Sequence, residues 1–196
     1  MTLKILFLGP DKEPQKRLIT FLFNDGNSVV RHEDKLDYNN IVESKYDYLI
    51  SFGYRYIIGK DVLDYFKEKA VNLHISFLPW NKGTDPNLWS ILEDTPKGVT
   101  IHQIDEGLDT GKIVCQKEIF FDGNETLKST YGVLNNTIVE LFKENWTKIK
   151  DNMLKLKSKK GKGSYHKSSD KNDYMDLLTD GWDTKIKDLK GKAILA

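Results

Sequence analysis

The sequence predicts an α/β chain: a Rossmann-like, mostly parallel twisted sheet with helices on both faces and a last antiparallel strand pair, followed by a long helix and a short C-terminal extension. Three observations carry this expectation. Apolar runs of strand length alternate with stretches whose apolar residues recur every three or four positions, the pattern of parallel strands joined by right-handed crossover helices. The last two strand-like runs are joined only by the short loop holding Asp109, too short for a parallel crossover. Leu127, Tyr131, Leu134, Ile138, Leu141, Phe142 and Ile149 keep helical spacing over one uninterrupted stretch.

Residues 3–8 form a short, mostly apolar run closed by Gly9-Pro10, as expected for a buried strand entering a turn. Asp11 is placed to cap the next element and Pro14 suits a first helical turn. Leu18, Ile19, Leu22 and Phe23 then give a helical stripe ended by Asn24-Asp25-Gly26. Residues 28–32 and 46–52 read as the second and third strands, with a short polar helix between them; residues 53–59 are a glycine-bounded loop and 61–69 the next helix. Along 71–79, apolar Val71, Leu73, Ile75 and Phe77 alternate with Asn72, His74 and Ser76. A period of two puts those polar side chains on one face until Pro79, which has no amide hydrogen, stops the ladder.

A loop at 80–84 leads to a helix after Pro86 carrying Leu88, Trp89, Ile91 and Leu92. Residues 98–104 and 112–121 are the fifth and sixth strands, and the long helix covers 125–150. Beyond it, 155–162 is basic and nearly free of apolar residues, a solvated linker or a phosphate contact, and Met175, Leu177, Leu178 and Trp182 are spaced to dock a small helix. The expected organisation is a catalytic domain over 1–150 and a basic linker with a short extension over 151–196.

Composition narrows the function classes. A hydrophobic fraction of 39%, a charged fraction of 30% and a net charge of +1 describe an ordinary globular chain and give no electrostatic reason to expect nucleic acid. The single cysteine, Cys115, allows no intrachain disulfide and no multi-cysteine metal site; its place in the sixth strand reads as a buried, inert thiol. No apolar run approaches the length of a bilayer span and the N-terminus lacks a signal-peptide pattern, so the expected compartment is the cytoplasm.

The chemistry-bearing set is Asn72, His74 and Asp109. The first two stand about 6 to 7 Å apart at the C-terminal end of a strand, where open α/β sheets bind ligands. If the loop of Asp109 folds back over that end, an amide, an imidazole and a carboxylate converge. That set suits acyl transfer to an amine: imidazole exchanges protons near neutral pH, an amide NH2 donates to an oxyanion, and a carboxylate orients and charges the imidazole. Without a nucleophile-elbow signature, Ser76 reads as structural, and the route is direct attack. The plain alternatives are a satisfied polar strand end and, for 105–111, an ordinary turn.

Asn72-Leu73-His74-Ile75-Ser76-Phe77-Leu78-Pro79, then Lys82-Gly83, Gly98-Val99-Thr100-Ile101-His102 and Glu106-Gly107-Leu108-Asp109-Thr110-Gly111, resemble in order and spacing the formyltransferase family that uses 10-formyltetrahydrofolate. That family includes methionyl-tRNA formyltransferase, glycinamide ribonucleotide transformylase and the N-formyltransferases of nucleotide-linked amino sugars. The resemblance spans residues 3–121 and implies catalytic roles for Asn72, His74 and Asp109: Asn72 holds the formyl oxygen, His74 takes part in proton transfer, and Asp109 tunes His74 and relays the proton through water.

It also implies a pterin cleft with Tyr56, Ile57 and Ile58 on one wall and Asp105, Glu106 and Gly107 on the other, although core packing would equally explain the first three residue types. The implied co-substrate is 10-formyltetrahydrofolate, with no metal, nucleotide or flavin. Gly9-Pro10-Asp11-Lys12 replaces the glycine- and serine-rich phosphate loop of the glycinamide ribonucleotide enzymes. Trp80-Asn81-Lys82-Gly83 replaces the arginine-rich stretch of the methionyl-tRNA enzymes, and the residues after the long helix are too few for their β-barrel domain.

Those departures look more like the amino-sugar enzymes, with Trp80, Lys82 and Gly83 on the substrate; residues 165–170 read as a substrate or dimer contact, or as a plain loop. The expected partners are a small-molecule amine on a nucleotide-linked sugar and a second copy in a homodimer, with neither membrane nor nucleic acid. The expected function is N-formyl transfer to that amine. The alternatives are a glycinamide ribonucleotide or methionyl-tRNA formyltransferase, a formyltetrahydrofolate hydrolase, or a non-catalytic folate-binding module.

Overall fold

A computed structural model describes residues 2–193; Met1, expected in the first domain, and residues 194–196, expected in the C-terminal extension, lie outside the described residues. In chain order the elements are β1 (Lys4–Leu8), α1 (Glu13–Asn24), β2 (Ser28–His32), α2 (Tyr38–Ser44), β3 (Tyr48–Ser51), α3 (Lys60–Phe66), β4 (Ala70–His74), β5 (Lys82–Gly83), α4 (Pro86–Leu92), β6 (Gly98–Gln103), β7 (Ile113–Glu118), α5 (Leu127–Lys150), β8 (Tyr165–His166) and α6 (Ile186–Leu189). A 3-10 helix covers Asp170–Leu177 and a single 3-10 turn Gly181–Asp183.

Six strands form one sheet in the order β2-β1-β3-β4-β6-β7, while β5 and β8 form a separate parallel pair. β1 runs parallel to β2 and to β3, and β3 parallel to β4. β6 runs the other way: the amide of Ile104, just past its end, donates to the carbonyl of Ala70, the first residue of β4, at 3.0 Å. β6 and β7 make the antiparallel pair at the edge. The fold class read from the sequence is the one observed.

The chain divides into two compact units, Met1–His74 with Ile101–Cys115 and Val139–Ser158, and Ile75–Thr100 with Gln116–Ile138 and Lys159–Ala196. In the first, the alternation of strand side chains supplies two apolar faces. Leu6, Leu8, Leu49 and Ala70 pack with Ile41 of α2 and with Val62 and Phe66 of α3. On the opposite face Tyr48 meets Trp146 of α5 edge-on at 5.5 Å, and the indole donates to Asp25 at 2.9 Å just past α1. Leu18 and Leu22 of α1 are fully buried, and each such side chain contributes about 1.5 to 3 kcal/mol.

In the second unit α4 and α6 share a core of Leu88, Trp89, Leu92, Ile186 and Leu189, on which Leu177 and Leu178 also pack. Met175 and Trp182, expected beside them, remain half exposed. The long helix starts at Leu127, two residues after the expected position 125, and ends at Lys150 as expected. Thr126 and Ser129 cap it reciprocally, each hydroxyl accepting from the other residue's amide. Its stripe is buried except at Tyr131, which faces outward.

Two expectations change. The strand expected to reach Pro79 leaves the sheet after His74. In the second unit buried Thr100 satisfies the departing backbone, its hydroxyl donating to Ser76 O at 2.8 Å and accepting from Leu78 N at 3.2 Å, so alternation through Phe77 continues without a ladder. The basic stretch 155–162 is also more than a linker. Lys157 exchanges both backbone hydrogen bonds with Ile113 at 2.8 and 2.9 Å, covering part of the edge strand β7.

Candidate functional site

Asn72 and His74 lie two residues apart at the C-terminal end of β4, hence on one face. The pairing of Ile104 with Ala70 sets the β4–β6 register so that position 102 stands opposite position 72, which brings in His102. Asp109 arrives on the loop between β6 and β7. That loop folds back because Gln103 N donates to Lys112 O at 2.9 Å and because Gly111 lies so close to the Gln103 carbonyl that a side chain there would strike it. Asp105 holds the start of the loop, its carboxylate accepting from Gly107 N at 3.3 Å and from the Thr110 hydroxyl at 2.5 Å. Asp109 itself adopts the left-handed backbone, φ 53°, a conformation that Asp and Asn tolerate better than other side chains.

The carboxylate therefore becomes the centre of the set. Asn72 Nδ2 donates to Asp109 Oδ1 at 3.3 Å and is 3.2 Å from His102 Nε2, which is itself 3.3 Å from the same Oδ1. His74 Nε2 lies 3.7 Å from Asp109 Oδ2, and the two imidazoles stand edge to face, 6.3 Å apart. His74, His102 and Asp109 are 8%, 2% and 7% exposed, so the Asp109 carboxylate acts on the two imidazoles with little solvent screening. His102 Nδ1 is 2.7 Å from Gln103 O; a carbonyl only accepts, so Nδ1 carries the hydrogen and Nε2 is the atom that gains or loses a proton. With Nε2 neutral it accepts from Asn72; once protonated it donates to Asp109.

The structure thus gathers Asn72, His74 and Asp109 and adds His102, which residue type and spacing alone do not select. The signal available was its position inside the Gly98–His102 segment of the combined motif. Of the proposed pterin wall, Tyr56 is 46% and Ile57 82% exposed, so neither belongs to the core, whereas Ile58 packs on the cluster of Leu6, Leu8 and Val62. Tyr54 and Tyr56 lie ring to ring at 5.5 Å. Asp105, Glu106 and Gly107 are exposed, and Glu106 pairs with Lys60 of α3 at 2.7 Å.

Trp80, Lys82 and Gly83 belong to the second unit. The Ser76 hydroxyl donates to Trp80 O at 2.9 Å, and Lys82 and Gly83 pair with Tyr165 and His166. Among the described residues no group of three or more His, Cys, Asp or Glu is arranged to hold a metal ion, and no helix is long and apolar enough to cross a membrane.

Residues 7–143 match the profile of the formyl transferase family. The chain belongs to that family. Among solved structures, this formyl transferase is 52% identical to the formyltransferase PseJ from Anoxybacillus kamchatkensis, covering 97% of this chain and 99% of that one with a TM-score of 0.91; that protein was crystallised with UDP-4,6-dideoxy-4-formamido-L-AltNAc and tetrahydrofolate. The chain is 33% identical over 130 residues to a dTDP-4-amino-4,6-dideoxyglucose formyltransferase of Mycobacterium bovis, covering 66% of this chain and 54% of that one. It is 39% identical over 107 residues to a methionyl-tRNA formyltransferase of Prochlorococcus marinus, covering 54% and 33% respectively. The chain therefore spans between a third and about half of the length of these curated relatives.

Proposed function

We propose that this formyl transferase moves the formyl group of 10-formyltetrahydrofolate onto the primary amine of a nucleotide-linked amino sugar, by direct attack at Asn72, His74 and Asp109. The observation that carries the reading is the buried carboxylate of Asp109, held between an amide and two imidazoles. The likeness to PseJ over nearly the whole of both chains supports the choice of acceptor.

The amine nitrogen bonds to the formyl carbon, and the carbonyl oxygen takes up the electron pair. Asn72 donates to that oxygen through an amide N–H, without placing a charge in the site. The proton leaving the nitrogen passes to His74, whose imidazolium Asp109 stabilises; collapse then expels N10, which takes up a proton and leaves tetrahydrofolate. His102 holds Asn72 and Asp109 in register and offers Nε2 as a second proton station. Tyr56, Ile57 and Ile58, with Asp105, Glu106 and Gly107, form the walls for the pterin, and the exposed Ile57 gains an apolar partner there. Trp80, Lys82 and Gly83 bind the acceptor. The catalytic domain covers 1–150, and the reaction belongs in the cytoplasm.

The test is release of tetrahydrofolate from 10-formyltetrahydrofolate in the presence of single acceptors: a panel of amino-sugar nucleotides, glycinamide ribonucleotide and Met-tRNA. Release dependent on one amino-sugar nucleotide is expected. Equal release without any amine would make the chain a hydrolase, and release dependent on Met-tRNA alone would overturn the sugar reading.

A further inference from the structure

The segment after the basic stretch lies on the loop that the proposed function assigns to the acceptor, and the two are joined through one carboxylate. Glu93, the residue after α4, accepts from Ser164 Oγ at 2.9 Å and from Asn81 Nδ2 at 3.2 Å, and Nε2 of His166 lies 3.1 Å from its other oxygen. The Asn81 amide donates to the Ser164 hydroxyl at 3.0 Å, and the Thr95 hydroxyl donates to Asn81 Oδ1 at 2.9 Å. Asn81 is fully buried and left-handed, φ 55°, so this network determines the direction in which the chain enters Lys82.

Backbone bonds continue the lock. Lys82 N donates to Ser164 O and Thr84 N to His166 O, both at 3.1 Å. Gly83, φ 89°, approaches the His166 carbonyl so closely that any side chain would collide with it. Beneath, the His166 ring stacks on buried Trp89 at 3.8 Å and 6°, and beyond, Lys171 pairs with Asp85 at 2.8 Å. A two-residue strand pair has little stability of its own. Its order comes from the Glu93 network and the stacked ring.

We infer that Glu93 and His166 are positioning residues for the acceptor: through Asn81 and Ser164 they hold the 80–85 loop, so the 163–171 segment is a working part of the acceptor site. The inference rests on the reading of Trp80, Lys82 and Gly83 as acceptor-binding.

The test compares Glu93→Ala, Glu93→Gln and the milder Ser164→Ala with the native full chain, using the amino-sugar nucleotide turned over in the panel and amide hydrogen exchange at Lys82 and Thr84. Glu93→Ala is expected to raise the KM for the sugar nucleotide by about tenfold or more, with kcat and the KM for 10-formyltetrahydrofolate within about twofold. Exchange at both amides is expected to accelerate, and Glu93→Gln, which keeps an oxygen for Asn81 and Ser164, to restore most of both. Ser164→Ala gives the same split at smaller amplitude and serves if Glu93→Ala does not fold. Faster exchange with an unchanged acceptor KM would overturn the inference, as would a parallel fall of kcat and both KM-dependent rates. A native protein that turns over no amino-sugar nucleotide overturns the functional reading instead, while unchanged exchange in a folded Glu93→Ala variant removes the role of Glu93 whatever the substrate.

Discussion

Asp109→Asn is expected to lower kcat by about three orders of magnitude while leaving the fold intact. Asparagine has the shape of aspartate and the same tolerance for the left-handed backbone at φ 53°, so the loop keeps its path. What disappears is the negative charge 3.7 Å from His74 Nε2. At that separation and an effective dielectric constant near 20, the attraction to an imidazolium is about 4.5 kcal/mol. At about 1.4 kcal/mol per tenfold in rate, its loss from the transition state is worth about a thousandfold. The assay is single-turnover release of tetrahydrofolate at saturating acceptor, with circular dichroism and thermal unfolding as folding controls. A folded variant that keeps more than about a tenth of native kcat would refute the reasoning, because proton transfer aided by a positioned group is typically worth 10² to 10⁴.

Three further outcomes follow from particular contacts. Gly111→Ala would drive a methyl into the Gln103 carbonyl and should destabilise by roughly 1 to 3 kcal/mol, read by denaturant unfolding; native stability would mean the loop has another path. Burial pushes the Asp25 carboxyl up, but hydrogen bonds from Lys150, Trp146 and Asn27 outweigh it and hold its pKa below 3.8 in the folded state. Its contribution is therefore present above the unfolded value and lost as pH falls through the folded one; Asp25→Asn should flatten stability below about pH 4, by less than about 1 kcal/mol given its exposure, and an unchanged acid limb would sink this account. Burial pushes the Cys115 thiol up to about 11, so at pH 8 only about one thiol in a thousand is ionised, and alkylation by iodoacetamide should be slow until the chain unfolds.

Much of the site was legible because its residues are local in sequence. The period of a strand puts Asn72 and His74 on one face at its end, and Asp109 lies in a loop too short to cross over; preferring them to a satisfied polar strand end and an ordinary turn rested on the resemblance of the combined motif to the formyltransferase family. The strand face and the loop length are readable along a single segment. His102 was not, because its neighbourhood depends on how β6 registers against β4, and register is a relation between segments about thirty residues apart. The end of β4 was misread for a related reason: apolar alternation through Phe77 looks the same whether the backbone is satisfied by a neighbouring strand or by the Thr100 hydroxyl.

By itself the sequence determined the order of strands and helices and the approximate extent of the long helix, which follow from periodicity, capping and turn chemistry within a few residues, while the choice of Asn72, His74 and Asp109 as candidates came from the resemblance of the combined motif to the formyltransferase family. Only the tertiary structure decided that Lys157 covers the edge of β7, that His102 completes the carboxylate's surroundings, and that His166 stacks on Trp89 to hold the tail against Lys82 and Gly83. Each of these is a contact between residues far apart in the chain, made where a buried polar group or an open strand edge must find its partner, and single-segment patterns carry no record of which partner that is.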